Sequence, residues 1–202
     1  DSLANDPSWQ DGDVRTGISK GSRLPKISAN KITRFGFWNT RSLKKQETME
    51  MLNKECESYN LDILTLAETR LDQQRVIGDQ RTLITSSSSA EGRNGVGIYL
   101  KNTLARSIIK YSCINDRILQ VRLNTKPVKI TITVSYAPTN VSEDDQKDAF
   151  YTSLQRAMDN VSQHDIHLIA GDFNANLGKQ TKSSLLIMGN HALQDQECSD
   201  YG

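Results

Sequence analysis

Cysteine is scarce in this sequence: three among 202 residues, Cys56, Cys113 and Cys198, far apart and with no CxxC pair. That argues against a disulfide framework and against a structural zinc site, and the thiols read as reduced ones in an intracellular protein. Long apolar runs are missing too. None approaches the ~18 residues that a membrane span requires. The opening DSLANDPSWQDGD is acidic and polar, the opposite of a signal peptide. Aromatic content is 6% and mean hydropathy −0.56, lean for a packed domain and foreign to a bilayer. A dominant charge is absent as well: the net value is +1, so the overall field selects no partner. Only Val14 to Arg34 departs from this balance, with Arg15, Lys20, Arg23, Lys26, Lys31 and Arg34 and no acidic residue. Such a stretch reads first as a solvated arm, and second as one able to meet phosphates.

What remains is enough for one sizeable domain. Residues 1–31 carry no hydrophobic periodicity and are expected to form a flexible lead-in, with the domain spanning 32–202. ITRFGFWN reads as a strand ending at Asn39. LKKQETMEMLNKECESYN places Leu43, Met49, Leu52 and Cys56 near helical spacing, and LDILTLAET is apolar enough for a strand buried on both faces. Arg70 to Asn94 is weakly patterned and is expected to be a surface loop around one short strand. GVGIYL, RSIIKYSCI, RILQVRL and VKITITVSY follow as β-branched strands of a mostly antiparallel meander. VSEDDQKDAFYTSLQRAMDNVSQ then sets Phe150, Leu154, Ala157, Met158 and Val161 on one helical face, with Ser142 as the expected cap. HLIAGDFN closes the series as a strand running into a polar turn. No internal repeat is present. Helices outside and sheets inside predict an α/β sandwich; four successive strands without helices between them argue against a doubly wound parallel sheet.

The polar residues where the apolar runs stop form the candidate site. Asn39 follows FGFW, Glu68 follows DILTLA, Tyr136 follows ITITVS, and Asp172 and Asn174 follow HLIAG. Each alone is an ordinary strand end. Together they can converge at one rim of packed sheets. A hard divalent ion such as Mg2+ takes oxygen ligands and needs only one or two protein carboxylates. Glu68 fits that role, with the Asn39 amide oxygen beside it. Asp172 can accept a proton from an attacking water or orient it. Asn174 and Tyr136 can donate hydrogen bonds to phosphate oxygens in a transition state. His164 and His167 flank the last strong strand, and a metal pair there is the weaker alternative.

In this order, FWNTRSL, LAETRL, GVGIYL, VSYAPT and GDFNANLG resemble the endonuclease/exonuclease/phosphatase superfamily with the DNase I-like fold. Within it they resemble the endonuclease domains of non-LTR (LINE-type) retrotransposons and craniofacial development protein-like sequences. The resemblance runs from about Ile32 to Gly202. It implies a four-layered αββα sandwich and phosphodiester cleavage that depends on Mg2+, with Mn2+ as the alternative ion. It also implies active-site positions for Asn39, Glu68, Tyr136, Asp172 and Asn174, with Glu68 as metal ligand. DNA is the implied partner, nicked for a retroelement, and the nucleus the implied compartment. Two departures qualify this. Some abasic-site nucleases carry Asp two residues beyond the first-strand Asn, where this sequence has Arg41. The family closes with later strands and a Ser-Asp-His stretch whose histidine is central to the chemistry. SDYG at Ser199 to Gly202 is no substitute for it. The domain is therefore expected to lack its last strands, to expose sheet edges, and to be weakly active or inactive by itself. The other readings are a catalytically inactive remnant that binds nucleic acid or a protein, and a phosphatase or phospholipase of the same superfamily.

Overall fold

The protein is described here from a computed structural model covering residues 10–11, 32–87 and 92–175. Its elements in chain order are β1 (Gln10–Asp11), β2 (Phe35–Asn39), α1 (Gln46–Ser58), β3 (Ile63–Ala67), β4 (Gln74–Ile77), β5 (Arg81–Thr85), β6 (Val96–Lys101), α2 (Asn102–Ala105), β7 (Ile108–Asn115), β8 (Ile118–Leu123), β9 (Lys129–Tyr136), α3 (Asp144–Asp159) and β10 (Asp165–Asp172). They build two five-stranded sheets, ordered β2-β3-β6-β5-β4 and β1-β7-β8-β9-β10.

Strand alternation explains the layers. On β3, Ile63 and Ala67 face the opposite sheet, while Leu64 and Leu66 face α1. On β6, Val96, Ile98 and Leu100 point inward and Tyr99 outward. On β8, Leu119, Val121 and Leu123 join the central core while Ile118 packs toward α3. A period of two thus supplies each sheet with two apolar faces, and both must be covered. The sheets cover each other on one side. Leu52 and Cys56 of α1 cover one outer face, and Phe150, Leu154 and Ala157 of α3 cover the other. The result is the expected αββα sandwich.

Two βαβ units organise the site. β2 pairs with β3 in parallel across α1, and β9 pairs with β10 in parallel across α3. The remaining pairs are antiparallel, including the β7-β8-β9 meander. α1 ends at Tyr59 because Asn60 turns left-handed, with φ 49, a conformation that asparagine tolerates at the residue after a helix. β2 and β10 are edge strands among the described residues, and Phe35, Phe37, Ile166, Leu168 and Ile169 on them are all exposed by more than a third.

Several expectations are corrected. The stretch from Arg70 to Asn94 holds two strands, β4 and β5, and every residue of β5 is buried. RTLIT hides this because Arg81, Thr82 and Thr85 interrupt the apolar pattern. Their side chains bond to the Leu61 carbonyl, the Asn102 side chain and the Asp72 carbonyl, partners that let polar groups lie inside the fold. Ser142 does not cap α3. Glu143 holds the cap position without a side-chain cap bond, because Ser142 belongs to the preceding turn, its N–H on the Thr139 carbonyl and its hydroxyl against that of Thr139. Gln10 and Asp11, within the expected lead-in, pair with β7 as β1. The rest of 1–31, together with Asn176, His191, Cys198 and SDYG, lies outside the described residues.

A polar seam ties β10 to its neighbours. Arg122 grips Asp165 with Nε and Nη2 at 2.7 and 2.8 Å, and the Thr131 hydroxyl adds a bond at 2.8 Å. Burial pushes the Asp165 carboxyl up, but Arg122 and Thr131 outweigh it and hold the group below its ordinary 3.8. His167 shares a hydrogen bond with the Thr133 hydroxyl, and burial holds its imidazole below 6.5 against the pull of Asp165. Both shifts mean that the unfolded chain binds more protons. Each contribution is complete above the group's ordinary value and is lost as pH falls through the lower folded value. The thermal midpoint is therefore expected to decline on acidification from about pH 6.5 and more steeply below about pH 4. His167→Gln should remove the first phase only. A flat profile down to pH 4 in the parent protein would rule out this linkage.

Candidate active site

Parallel register sets the site. Asn39 lies opposite Ala67 at the ends of β2 and β3, and Asp172 lies opposite Tyr136 at the ends of β10 and β9. Because both parallel pairs finish at the same rim, the residues just past them meet across the gap between the sheets. Open α/β sheets place ligand sites at such carboxyl ends for the same reason.

The contacts are direct. Asn39 Nδ2 donates to Glu68 Oε1 at 2.9 Å and to Asp172 Oδ2 at 3.2 Å, so one amide bridges two carboxylates from opposite sheets. The Tyr136 hydroxyl donates to Glu68 Oε1 at 3.1 Å. Asn174 lies at the edge of this cluster. Its backbone N–H donates to Asp172 Oδ1 at 3.0 Å and its side chain to the Ala137 carbonyl at 2.8 Å. Four of the five residues picked from sequence therefore share one hydrogen-bonded cluster through their side chains, and Asn174 braces it through its backbone. The Asn39 oxygen faces elsewhere and accepts the Arg41 N–H at 3.2 Å. His164 and His167 lie outside the cluster, at the opposite end of β10.

The backbone around the site is held in an unusual state. Arg41, Ser42, Glu68, Arg70 and Asn174 all have positive φ, at 52, 134, 51, 55 and 47. Such conformations cost of order 1–3 kcal/mol each and persist where surrounding structure dictates them. Bonds on either side brace these positions: Thr40 N–H to Ala67 O and Thr69 N–H to Gly95 O beside Glu68, Arg41 N–H to Asn39 Oδ1, and Asn174 N–H to Asp172 Oδ1. Gly95 has φ 109, and a methyl there would stand 2.6 Å from Thr69 Oγ1. The first glycine of GVGIYL is thus required by close approach to the Glu68 loop.

Charge at the site follows from these contacts. Burial pushes the Glu68 carboxyl up, but hydrogen bonds from Asn39, Arg70 and Tyr136 outweigh it and hold it below its ordinary 4.5. Burial, followed by the Glu68 charge, pushes the Tyr136 phenol up, so it keeps its proton and remains a donor at neutral pH. The carboxylate oxygens of Glu68 and Asp172 are donors of the type a hard divalent ion takes, whereas Asn39 turns its amide nitrogen rather than its oxygen toward them. Among the described residues no three His, Cys, Asp or Glu side chains gather as a metal cage, and a soft-metal site finds no ligands here.

Sequence reading missed the arginines. Arg70 Nη2 sits 2.9 Å from Glu68 Oε2. Arg117 lies over the Tyr136 ring, 5.2 Å from its centroid, and donates to the Tyr136 carbonyl at 3.1 Å. With Arg93 they border an open groove of about 790 Å3 that runs from Glu68 along Tyr136 to Phe150. The position of Arg70 two residues past Glu68 was the one available signal. Arg93 and Arg117 come from different strand connections, which no spacing rule links.

Residues 36–201 match the model of the Endonuclease/Exonuclease/phosphatase family. Craniofacial development protein 2 of Bos taurus is 30% identical over 146 residues, covering 72% of this chain and 24% of that protein. Its counterpart in Tragulus javanicus is 28% identical over the same length, with 25% of that protein covered. The chain thus spans about a quarter of the length of these relatives. The fold is shared with the endonuclease domain of TRAS1, a telomere-specific non-LTR retrotransposon, at a TM-score of 0.55 and 16% identity over 71% of this chain and 60% of that one. It is shared equally with the AP endonuclease LMAP of Leishmania major, at 0.54 and 17% over 72% and 56%. Motifs in order, a sandwich of the same architecture and a match over most of its length place this chain in the Endonuclease/Exonuclease/phosphatase family.

Proposed function

We propose that this chain is a metal-dependent phosphodiesterase, a DNA endonuclease that nicks target DNA on behalf of a retroelement, with Mg2+ as its ion. The observation that carries the reading is the single Asn39 amide bridging Glu68 and Asp172. It joins a metal-binding carboxylate to a proton-accepting one across the two sheets. The arginine-bordered groove beside them supports a polyanionic substrate.

Glu68 would hold the ion, which supplies positive charge to offset the phosphodiester and its leaving oxygen. Asn39 orients Glu68 and Asp172 toward each other; to act as a ligand itself it must release its oxygen from the Arg41 N–H. Asp172 takes the proton of the attacking water or fixes that water's orientation. Tyr136 donates its phenolic proton to a phosphate oxygen as negative charge grows there. Asn174 spends one amide N–H on Ala137, leaving the second for phosphate.

The test is nicking of supercoiled plasmid in Mg2+, at high protein concentration, beside an EDTA control and a small phosphate ester. Nicking in Mg2+ without ester hydrolysis is expected. Hydrolysis of the ester alone would point to a phosphatase, and DNA binding in EDTA without cleavage in Mg2+ to a binding module. Tyr136→Phe removes a hydrogen bond to a charged group, worth about 1.5–3 kcal/mol. The nicking rate should fall by roughly ten- to a hundredfold, and an unchanged rate would remove Tyr136 from the chemistry.

A further inference from the structure

Arg70 occupies the position that the ion needs. Glu68 Oε1 is taken by Asn39 and Tyr136, and Arg70 Nη2 covers Oε2 at 2.9 Å. A guanidinium and a divalent ion repel each other at one carboxylate. The pose is also incomplete for Arg70 itself: its Nε is buried with no hydrogen-bond partner, an unmet donor that native structures rarely tolerate. Yet the side chain is 37% exposed and borders the groove that Arg93 and Arg117 share. A phosphate in that groove can take the fork of Nε and Nη together.

We propose that Arg70 is a metal-switched phosphate clamp. Without a divalent ion it neutralises Glu68; once the ion takes that carboxylate, Arg70 turns into the groove and holds a backbone phosphate of the DNA. The proposal rests on the metal role given to Glu68 above and adds a linkage to it. Arg70 opposes metal binding in the free protein, and it contributes more to DNA binding when metal is present. Metal and DNA therefore favour each other through this side chain, and the coupling is reciprocal.

Two affinities test this, with no turnover needed. Mn2+ binding is read by electron paramagnetic resonance of the free ion. Binding of a short phosphorothioate DNA duplex is read by fluorescence anisotropy in EDTA and in Mn2+. Arg70→Ala should bind Mn2+ roughly two- to fivefold tighter, the scale of a partly exposed ion pair. Its DNA affinity should fall only slightly in EDTA, where one charge offsetting Glu68 at the groove is lost, and by about three- to tenfold in Mn2+. Arg70→Lys, which keeps the charge without the fork, should restore the weaker Mn2+ binding and only part of the DNA affinity. Unchanged or weaker Mn2+ binding in Arg70→Ala overturns the clamp, as does an equal loss of DNA affinity with and without metal. Glu68→Gln separates the two ideas. If it binds Mn2+ as well as the parent does, the metal role of Glu68 fails and the clamp fails with it. If it loses Mn2+ while Arg70→Ala changes nothing, only the clamp fails.

Discussion

Asp172→Ala should lower the plasmid-nicking rate by about 10²- to 10⁴-fold, the contribution typical of a positioned proton acceptor. The residue is held from two sides: Asn39 donates to Oδ2 and the Asn174 N–H to Oδ1. Alanine removes the acceptor and also frees the Asn39 amide from the second sheet, so Glu68 loses part of its orientation as well. Asp172→Asn separates the two contributions. An amide keeps the shape and can still accept one hydrogen bond, but it cannot take a proton. If Asp172 is the general base, Asp172→Asn should retain most of the loss and differ from Asp172→Ala only by the orientation of Glu68. If it only orients the water, Asp172→Asn should recover a large share of the rate. Activity within a few-fold of the parent in both variants would displace Asp172 from the mechanism.

The largest expected effect on stability lies one residue earlier. Gly171 sits against Ser135 in the β9–β10 ladder. A methyl at Gly171 would overlap the Ser135 carbonyl oxygen, 2.7 Å from the carbonyl carbon and 3.0 Å from the amide nitrogen. Those neighbours are backbone and cannot swing away. To admit the methyl, β10 would have to move off β9, which breaks ladder bonds and carries Asp172 away from Asn39. Gly171→Ala should therefore cost about 3 kcal/mol or more, at the upper end for overpacking. For a domain of this size that is a drop of roughly 6–12 °C in thermal midpoint. A midpoint within 2 °C of the parent would mean that β10 does not pack on β9 in this way. Ala170→Gly, one position away, carries no such clash and serves as the comparison.

These two residues stand side by side in AGDF, yet only one was singled out from sequence. A carboxylate at the end of an apolar run advertises chemistry. A glycine before a turn advertises only the turn, and the backbone that crowds it comes from Ser135, 36 positions earlier. The same distinction runs through the fold. α1, α3 and most of the strands were legible because burial on a defined face imposes a period of 3.6 or 2 on nearby residues. The second strand of Arg70 to Asn94 and the burial of β5 were not, since the polar side chains of RTLIT bond to partners such as Leu61 and Asn102 that lie far along the chain. The Ser142 cap was misplaced by one residue because a local turn to Thr139 competes for the same groups.

The sequence by itself determined the layered class, the order of the motifs and the residue types offered at each strand end, because these depend on local patterning and on side-chain chemistry. Only the tertiary structure decided how they are used. Parallel register in two separate βαβ units brings Asn39, Glu68, Tyr136 and Asp172 within hydrogen-bond reach. The same packing turns the Asn39 amide nitrogen toward both carboxylates and lays Arg70 on Glu68. Distances between residues more than 100 positions apart are fixed by how two sheets stack, and no stretch of sequence encodes that stacking locally.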